Sequence, residues 1–192
     1  LTTEELETLR SMLEEGPPAG AAAVAAILAN CKGNDPETRA GWVMTRLRRE
    51  VATEEPTRKR HMGYLSPRVA RLNRYLNALG TIGPEGVPVL RAELGTAEGE
   101  WRTWLQFAMG MSGDEAVAAD LRTVITEEDD PYLRWVAVRS YSRAYGTKAL
   151  PLLRELLSDE TKVPSNFCGG PPELLLIREV ARSEIRRIER TD

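Results

Sequence analysis

The chain has 192 residues, 42% of them hydrophobic, and a formal net charge of -3. That composition supports a packed core, excludes global disorder and argues against a generic polyanion binder. Two cysteines and one histidine exclude a disulfide scaffold, a four-cysteine zinc site and any site built on two imidazoles.

In chain order, apolar periodicity predicts helix, turn, helix throughout. First helices are expected at Thr3–Glu14, Pro36–Val51, Arg68–Leu79, Gly99–Met109, Pro131–Ala144 and Glu173–Ile188. Second helices are expected at Pro18–Asn30, Pro56–Tyr64, Pro84–Leu94, Asp114–Ile125 and Thr147–Leu157. No stretch alternates with period two over a useful length, so no strand is expected. The turn formers of SDETKVPSNFCGGPP read as a long loop at 161–172. Asp35, Ser66 and Asp130 each precede a proline, where an N-cap belongs. Pro88 and Pro151 fall in a first helical turn, where a missing N–H costs little. The longest apolar run, Ala21 to Ala29, is half a membrane span, and no signal-peptide pattern precedes it. No membrane partner is expected, and the cytoplasm is the default compartment. The opening Leu1 reads as a processed chain or one domain of a longer protein.

One unit recurs. In DPYLRWVAVRSYSRAYGTKALPLLRELLSDE an Arg follows the first Asp by four residues, and a Gly turn joins two apolar helices. Alignment on that Arg places Arg39, Arg71, Arg102 and Arg134 at spacings of 32, 31 and 32 residues, with a partial copy at Arg178. Second helices align through Leu90, Leu121 and Leu153. A lone helix pair cannot bury its apolar faces, whereas stacked pairs share a core. The expected fold class is therefore all-α, a short α-solenoid of about five antiparallel helix pairs. The pairs fall at 1–34, 35–65, 66–97, 98–129 and 130–160, with a capping helix at 173–192.

Asp35-Pro36 with Arg39, Asp130-Pro131 with Arg134, and the segments LNALGTIGPEGVPVL and AYGTKALPLL resemble HEAT-repeat proteins over residues 35 to 160. The resemblance implies a ladder of hydrogen bonds and ion pairs inside the stack, giving Asp35, Arg39, Arg71, Arg102, Asp130 and Arg134 a structural role. Ser66 and Gly99 stand where the ladder expects an Asp. It also implies protein binding along a concave surface, a few similar scaffolds binding DNA or acting as enzymes.

Chemistry-bearing residues are sparse. His61 lies in the basic run PTRKRHMGY and reads as solvated. Cys31 and Cys168 fall several layers apart, beyond the roughly 7 Å a disulfide spans. The acidic run Glu127–Asp130 lacks the glycine and spaced oxygens of a calcium loop and reads as a turn ending in a cap. No catalytic residue, metal site or cofactor is expected. Trp42, Trp104 and Trp135 are expected in the core and Trp101 at the surface.

Charge is the most informative functional signal. Nine basic residues (Arg46, Arg48, Arg49, Arg58, Lys59, Arg60, Arg68, Arg71, Arg74) face only Glu50, Glu54 and Glu55 in one segment. The plain reading is a solvated face with some arginines inside the ladder. The functional reading is a non-enzymatic protein- or peptide-binding scaffold whose concave wall, built from second helices, presents Arg58, Lys59, Arg60, Arg91, Arg122, Lys148 and Arg154 to a partner, an acidic one fitting the patch. The alternatives are a nucleic-acid-binding module using the 46–74 patch, or a lyase or repair enzyme with His61 or a carboxylate as acid/base.

Overall fold

The computed structural model of the chain describes residues 2–31, 35–53, 67–164 and 174–190. They are almost wholly helical. The helices are α1 (Thr3–Glu15), α2 (Pro18–Asn30), α3 (Pro36–Ala52), α4 (Pro67–Ile82), α5 (Val87–Leu94), α6 (Gly99–Met111), α7 (Ala118–Glu127), α8 (Pro131–Tyr145), α9 (Leu150–Glu155) and α10 (Ile177–Glu189). Caps set several starts. Thr2 and Glu5 form a capping box on α1. Asp35 accepts from the Glu37 and Thr38 amides, and Asp130 accepts from the Tyr132 amide at 2.8 Å.

A shared turn precedes α5, α7 and α9. Gly83, Gly113 and Gly146 take φ of 83°, 90° and 53°, a region that penalises any Cβ. Each leads to a single 3-10 turn that runs into the next helix. These glycines give the second helices their common phase in the sequence.

The packing forms two rows. The even-numbered helices touch in succession, α2 on α4, α4 on α6, α6 on α8 and α8 on α10. Opposite them, α1 packs on α3 and α3 on α5, while α7 and α9 pack on α8 and α10. The core lies between the rows, with Leu47, Leu72, Leu76, Leu90, Leu105, Phe107, Leu121 and Leu153 at or near zero exposure. Each such side chain contributes about 1.5–3 kcal/mol by leaving water.

α6 is the most enclosed helix, with every residue from Trp104 to Met111 buried. Over it, side chains of α4 and α8 meet directly. The Tyr132 hydroxyl donates to the Val69 carbonyl at 3.4 Å, and the Arg139 guanidinium donates to Asn77 Oδ1 at 3.1 Å.

Three sequence expectations are corrected. A two-stranded antiparallel ribbon, β1 (Lys162–Pro164) with β2 (Leu174–Leu176), occupies part of the expected loop and the start of the expected last helix, so α10 begins at Ile177. The ribbon forms because Val163 is fully buried beneath α8, an anchor that needs no long alternating pattern. Arg39 is in the row opposite Arg71, Arg102 and Arg134, because α3 packs onto α4 and α5, while α2 lies beside α4. Of the tryptophans, Trp104 alone is fully buried; Trp42 and Trp135 are half-buried beneath Arg10 and Arg139, and Trp101 is also half-buried, donating to Glu93. Ser66, the expected helix Pro56–Tyr64 and its His61 lie outside the described residues.

The recurring arginines hold the corners between helices. Arg39 donates to the Leu28 and Ala29 carbonyls at 2.8 and 3.1 Å, at the end of α2. Arg102 reaches the Leu94 carbonyl at the end of α5, and Arg134 reaches the Ile125 carbonyl of α7 at 2.9 Å. In α4 the work is divided, Arg68 taking the Glu50 and Val51 carbonyls and Arg71 pairing with the buried Glu50 carboxylate at 2.6 Å. A cation beside the last carbonyls of a helix satisfies orphan acceptors and opposes the negative end of the dipole.

Arg134 also pairs with Asp159, which accepts from the Thr161 amide. Burial works against the Asp159 charge, but the bonds from Thr161 and Arg134 outweigh it and hold the carboxyl below the ordinary 3.8. The unfolded chain then binds this proton first as the medium is acidified. The stabilisation is present in full above about pH 5 and is lost as pH falls through the folded value. Urea midpoints measured across that range should fall for the native chain and fall less steeply for Asp159→Asn.

Gly110 in α6 permits the closest approach in the core. A Cβ there would lie 2.7 Å from Leu121 Cδ1 and 2.9 Å from Ser140 Cβ. Gly110→Ala should therefore destabilise by about 1–3 kcal/mol, although alanine is the better helix former. Chemical denaturation reads this, and an unchanged or raised stability would contradict the packing.

Candidate binding face

The candidate face is built by the outer sides of α4, α8 and α10. On α4 the buried positions Leu72, Tyr75, Leu76, Leu79 and Ile82 face inward, leaving Arg74, Asn77 and Thr81 exposed along the opposite side. On α8 the same logic leaves Trp135, Arg139 and Arg143 outermost, at successive turns. On α10 the inward stripe Ile177, Val180, Ala181, Glu184 and Ile188 leaves Arg182, Arg186 and Arg190 exposed. The bond from Arg139 to Asn77 joins α8 to α4, and the bond from the Ser142 hydroxyl to Glu184 Oε2, 2.7 Å, joins α8 to α10.

Arg139 and Arg143 carry the unusual electrostatics. Arg139 lies over the Trp135 ring at 5.0 Å. Its one bonded side-chain partner among the described residues, Asn77, is neutral. Arg143, one turn further on, has no hydrogen-bond or ion-pair partner among the described residues. The nearby carboxylate, Glu184, is engaged by Ser142 and by Arg187 Nε at 2.7 Å. Burial lowers the Arg139 pKa, with Arg187 adding repulsion. Burial likewise lowers that of Arg143, the Arg139 charge adding to it. An arginine does not deprotonate in a protein, so these directions record electrostatic cost in the folded state. Burial also pushes the Tyr132 phenol well above its ordinary range.

The sequence-predicted residues are distributed differently. Of the nine basic residues in the 46–74 segment, Arg58, Lys59 and Arg60 lie outside the described residues. Arg46 and Arg49 donate to the Glu14 carbonyl in the last turn of α1, Arg46 also to that of Gly16 just beyond it. Arg48 pairs with Glu93, and Arg68 and Arg71 hold the α3–α4 corner. Only Arg74 of the described members is exposed and outside these bonds. Among the second-helix candidates, Arg91 bonds both oxygens of buried Asp114 at 2.8 Å, and Lys148 pairs with Glu115 at 2.7 Å. Arg122 and Arg154 are exposed on α7 and α9.

Asp35 and Asp130 serve as N-caps. Arg39, Arg102 and Arg134 reach carbonyl ends. Cys31 is a free thiol whose Sγ lies 3.3 Å from the Ile27 carbonyl, and Cys168 lies outside the described residues. No cluster of three His, Cys, Asp or Glu side chains with metal-binding geometry occurs among the described residues. No described helix is long and apolar enough to cross a membrane.

Sequence reasoning passed over Arg139, Arg143 and Arg187. They fall outside the 46–74 segment, and a linear charge count does not reveal that α4, α8 and α10 present one surface. The available signal was the pair of like charges four residues apart in RSYSR.

Comparison with protein-family models, with curated proteins and with solved structures finds no match to this chain.

Like charges at i,i+4 destabilise a helix by about 0.2–0.5 kcal/mol. Arg143→Gln should therefore leave the chain slightly more stable at low salt, by an amount in that range, and the gain should shrink as salt is added. A loss of stability in thermal or urea unfolding would show that Arg143 has a stabilising partner.

Proposed function

We propose that the chain is a short HEAT-like α-solenoid acting as a non-enzymatic binding module, and that the outer face of α4, α8 and α10 receives an acidic segment of a protein partner. The observation that carries this reading is the pair Arg139 and Arg143, set on an outward face and bonded to no carboxylate among the described residues. Like charges one helical turn apart that serve no corner repel each other, and a partner of opposite charge would offset that cost. The two rows of helices, with α4 and α8 meeting over α6, support a curved stack whose inner side is the even-numbered row. The nucleic-acid alternative drew on the 46–74 segment, where the described arginines apart from Arg74 are committed to carbonyls or carboxylates within the fold.

The test is fluorescence anisotropy with a labelled Asp/Glu-rich peptide and a single-stranded oligonucleotide of equal charge. The peptide should bind more tightly than the oligonucleotide, and its affinity should fall as salt rises. Arg74→Glu and Arg186→Glu should weaken it, while Arg122→Glu and Arg154→Glu in the opposite row should not. Absence of peptide binding at low salt, or loss confined to the second-helix variants, would overturn the reading.

A further inference from the structure

We propose that Arg139 and Arg143 form a subsite for one phosphate group, carried on a phosphorylated side chain of a protein partner. This deepens the binding-module reading and rests on it.

The first support is geometric. Arg139 and Arg143 are four residues apart on α8, so their side chains rise from one face about 5–6 Å apart at Cβ. Asn77 and the Trp135 ring hold the Arg139 guanidinium in place from two sides, which removes conformational freedom before any ligand arrives. Ser142 lies between the pair in sequence, its hydroxyl oxygen 2.7 Å from Glu184 Oε2, to which it donates, and 2.9 Å from the Arg139 carbonyl. Arg187 completes that contact, its Nη2 lying 3.2 Å from the Ser142 oxygen. The carboxylate facing the pair from α10 is therefore occupied, and α4 contributes the neutral Asn77 and Thr81 at this level. Neither arginine of the pair bonds a carboxylate among the described residues, and Glu184, whose charge attracts both, is shared with Arg187.

The second support is valence. Two adjacent cations call for a dianion with several acceptor oxygens. A phosphate monoester carries nearly two charges near neutral pH and three oxygens that match guanidinium donors, whereas a single carboxylate would leave one cation unbalanced.

The third support concerns the carrier. α2, which packs beside α4, carries no charged residue from Pro18 to Asn30 and exposes Ile27 and Ala26. A polynucleotide brings a negative charge every few ångströms and would find no cation along α2. A peptide with one phosphate and apolar flanking residues suits both.

The experiment has two arms. In the first, the full chain is titrated with inorganic phosphate at low ionic strength while the arginine Nε–Hε resonances are followed by NMR. Saturable shifts are expected at Arg139 and Arg143 and not at Arg122. In the second, anisotropy compares one fluorescent peptide bearing serine, glutamate or phosphoserine at a single position. The phosphoserine form should bind about tenfold more tightly than the serine form, and more tightly than the glutamate form. Its advantage should fade below about pH 6 as the phosphate takes up its second proton.

Arg143→Gln, at an exposed position, should bring the three peptides within about twofold of one another. Arg139→Gln should do the same if it folds, and Arg143→Gln decides the matter if it does not. Non-saturating phosphate shifts, equal affinity of phosphoserine and serine peptides, or an unaffected Arg143→Gln would overturn the proposal. So would an equally charged oligonucleotide that outcompetes the phosphopeptide. Retained acidic-peptide binding with no phosphate preference would remove the subsite and leave the module reading standing, whereas loss of all peptide binding would remove both.

Discussion

The fold depends on a guanidinium near the start of one helix reaching back to the carbonyl end of the helix before it. A helix end leaves acceptors without donors, and a tight corner between packed helices shields them from water. Arg39, Arg68, Arg102 and Arg134 each supply the missing donors, and the positive charge also suits the negative end of the dipole. Hydrogen bonds to charged groups are worth about 1.5–3 kcal/mol each, enough for one arginine to decide whether a corner stays closed. Burial is tolerated because the terminal guanidinium nitrogens are bonded, although the Nε of Arg39 and of Arg46 is buried with no partner among the described residues. Arg39 and Arg46 are 8% and 5% exposed, and each makes two carbonyl bonds.

That constraint explains why the arginine interval was visible before any coordinates. The Asp-Pro-x-x-Arg spelling of α3 and α8 places a cap, a first-turn proline and a corner arginine in fixed order, since cap and corner share one turn of helix. The Gly turns before α5, α7 and α9 were legible for a similar reason, left-handed backbone selecting glycine. The row assignment was not legible. A period of about 32 residues states how far apart corners are, but not whether two successive corners lie on the same side. α3 and α4 carry Arg39 and Arg71 at the regular interval and still face each other across the core. The ribbon β1–β2 was hidden because three residues per strand are too few to alternate visibly.

The candidate face was legible only in part, because charge counted along the sequence mixes two uses of arginine. In the 46–74 segment a dense run turns out to be largely structural: Arg46 and Arg49 close α1, Arg68 and Arg71 close α3, and Arg48 neutralises Glu93. Arg74, Arg139 and Arg143 of α4 and α8 are among the arginines left without such duties, as are Arg122, Arg154, Arg182, Arg186 and Arg190 on α7, α9 and beside or within α10. Which group a given arginine belongs to is decided by whether a carbonyl end lies within reach, a three-dimensional fact. In the proposed reading, structure and recognition are served by one residue type, separated by whether a carbonyl end lies within reach.

The most direct measurement of this account is the unfolding free energy and helix arrangement of Arg39→Met, a side chain of similar length that keeps the packing and removes the donors. The account predicts a loss of about 3 kcal/mol, with faster amide exchange concentrated at the end of α2 and the start of α3, while the exposed control Arg154→Met changes stability by less than about 0.5 kcal/mol. A stability equal to the parent chain, with α2 and α3 packed as before, would show that the corner arginines are passengers and that hydrophobic contact alone sets the rows.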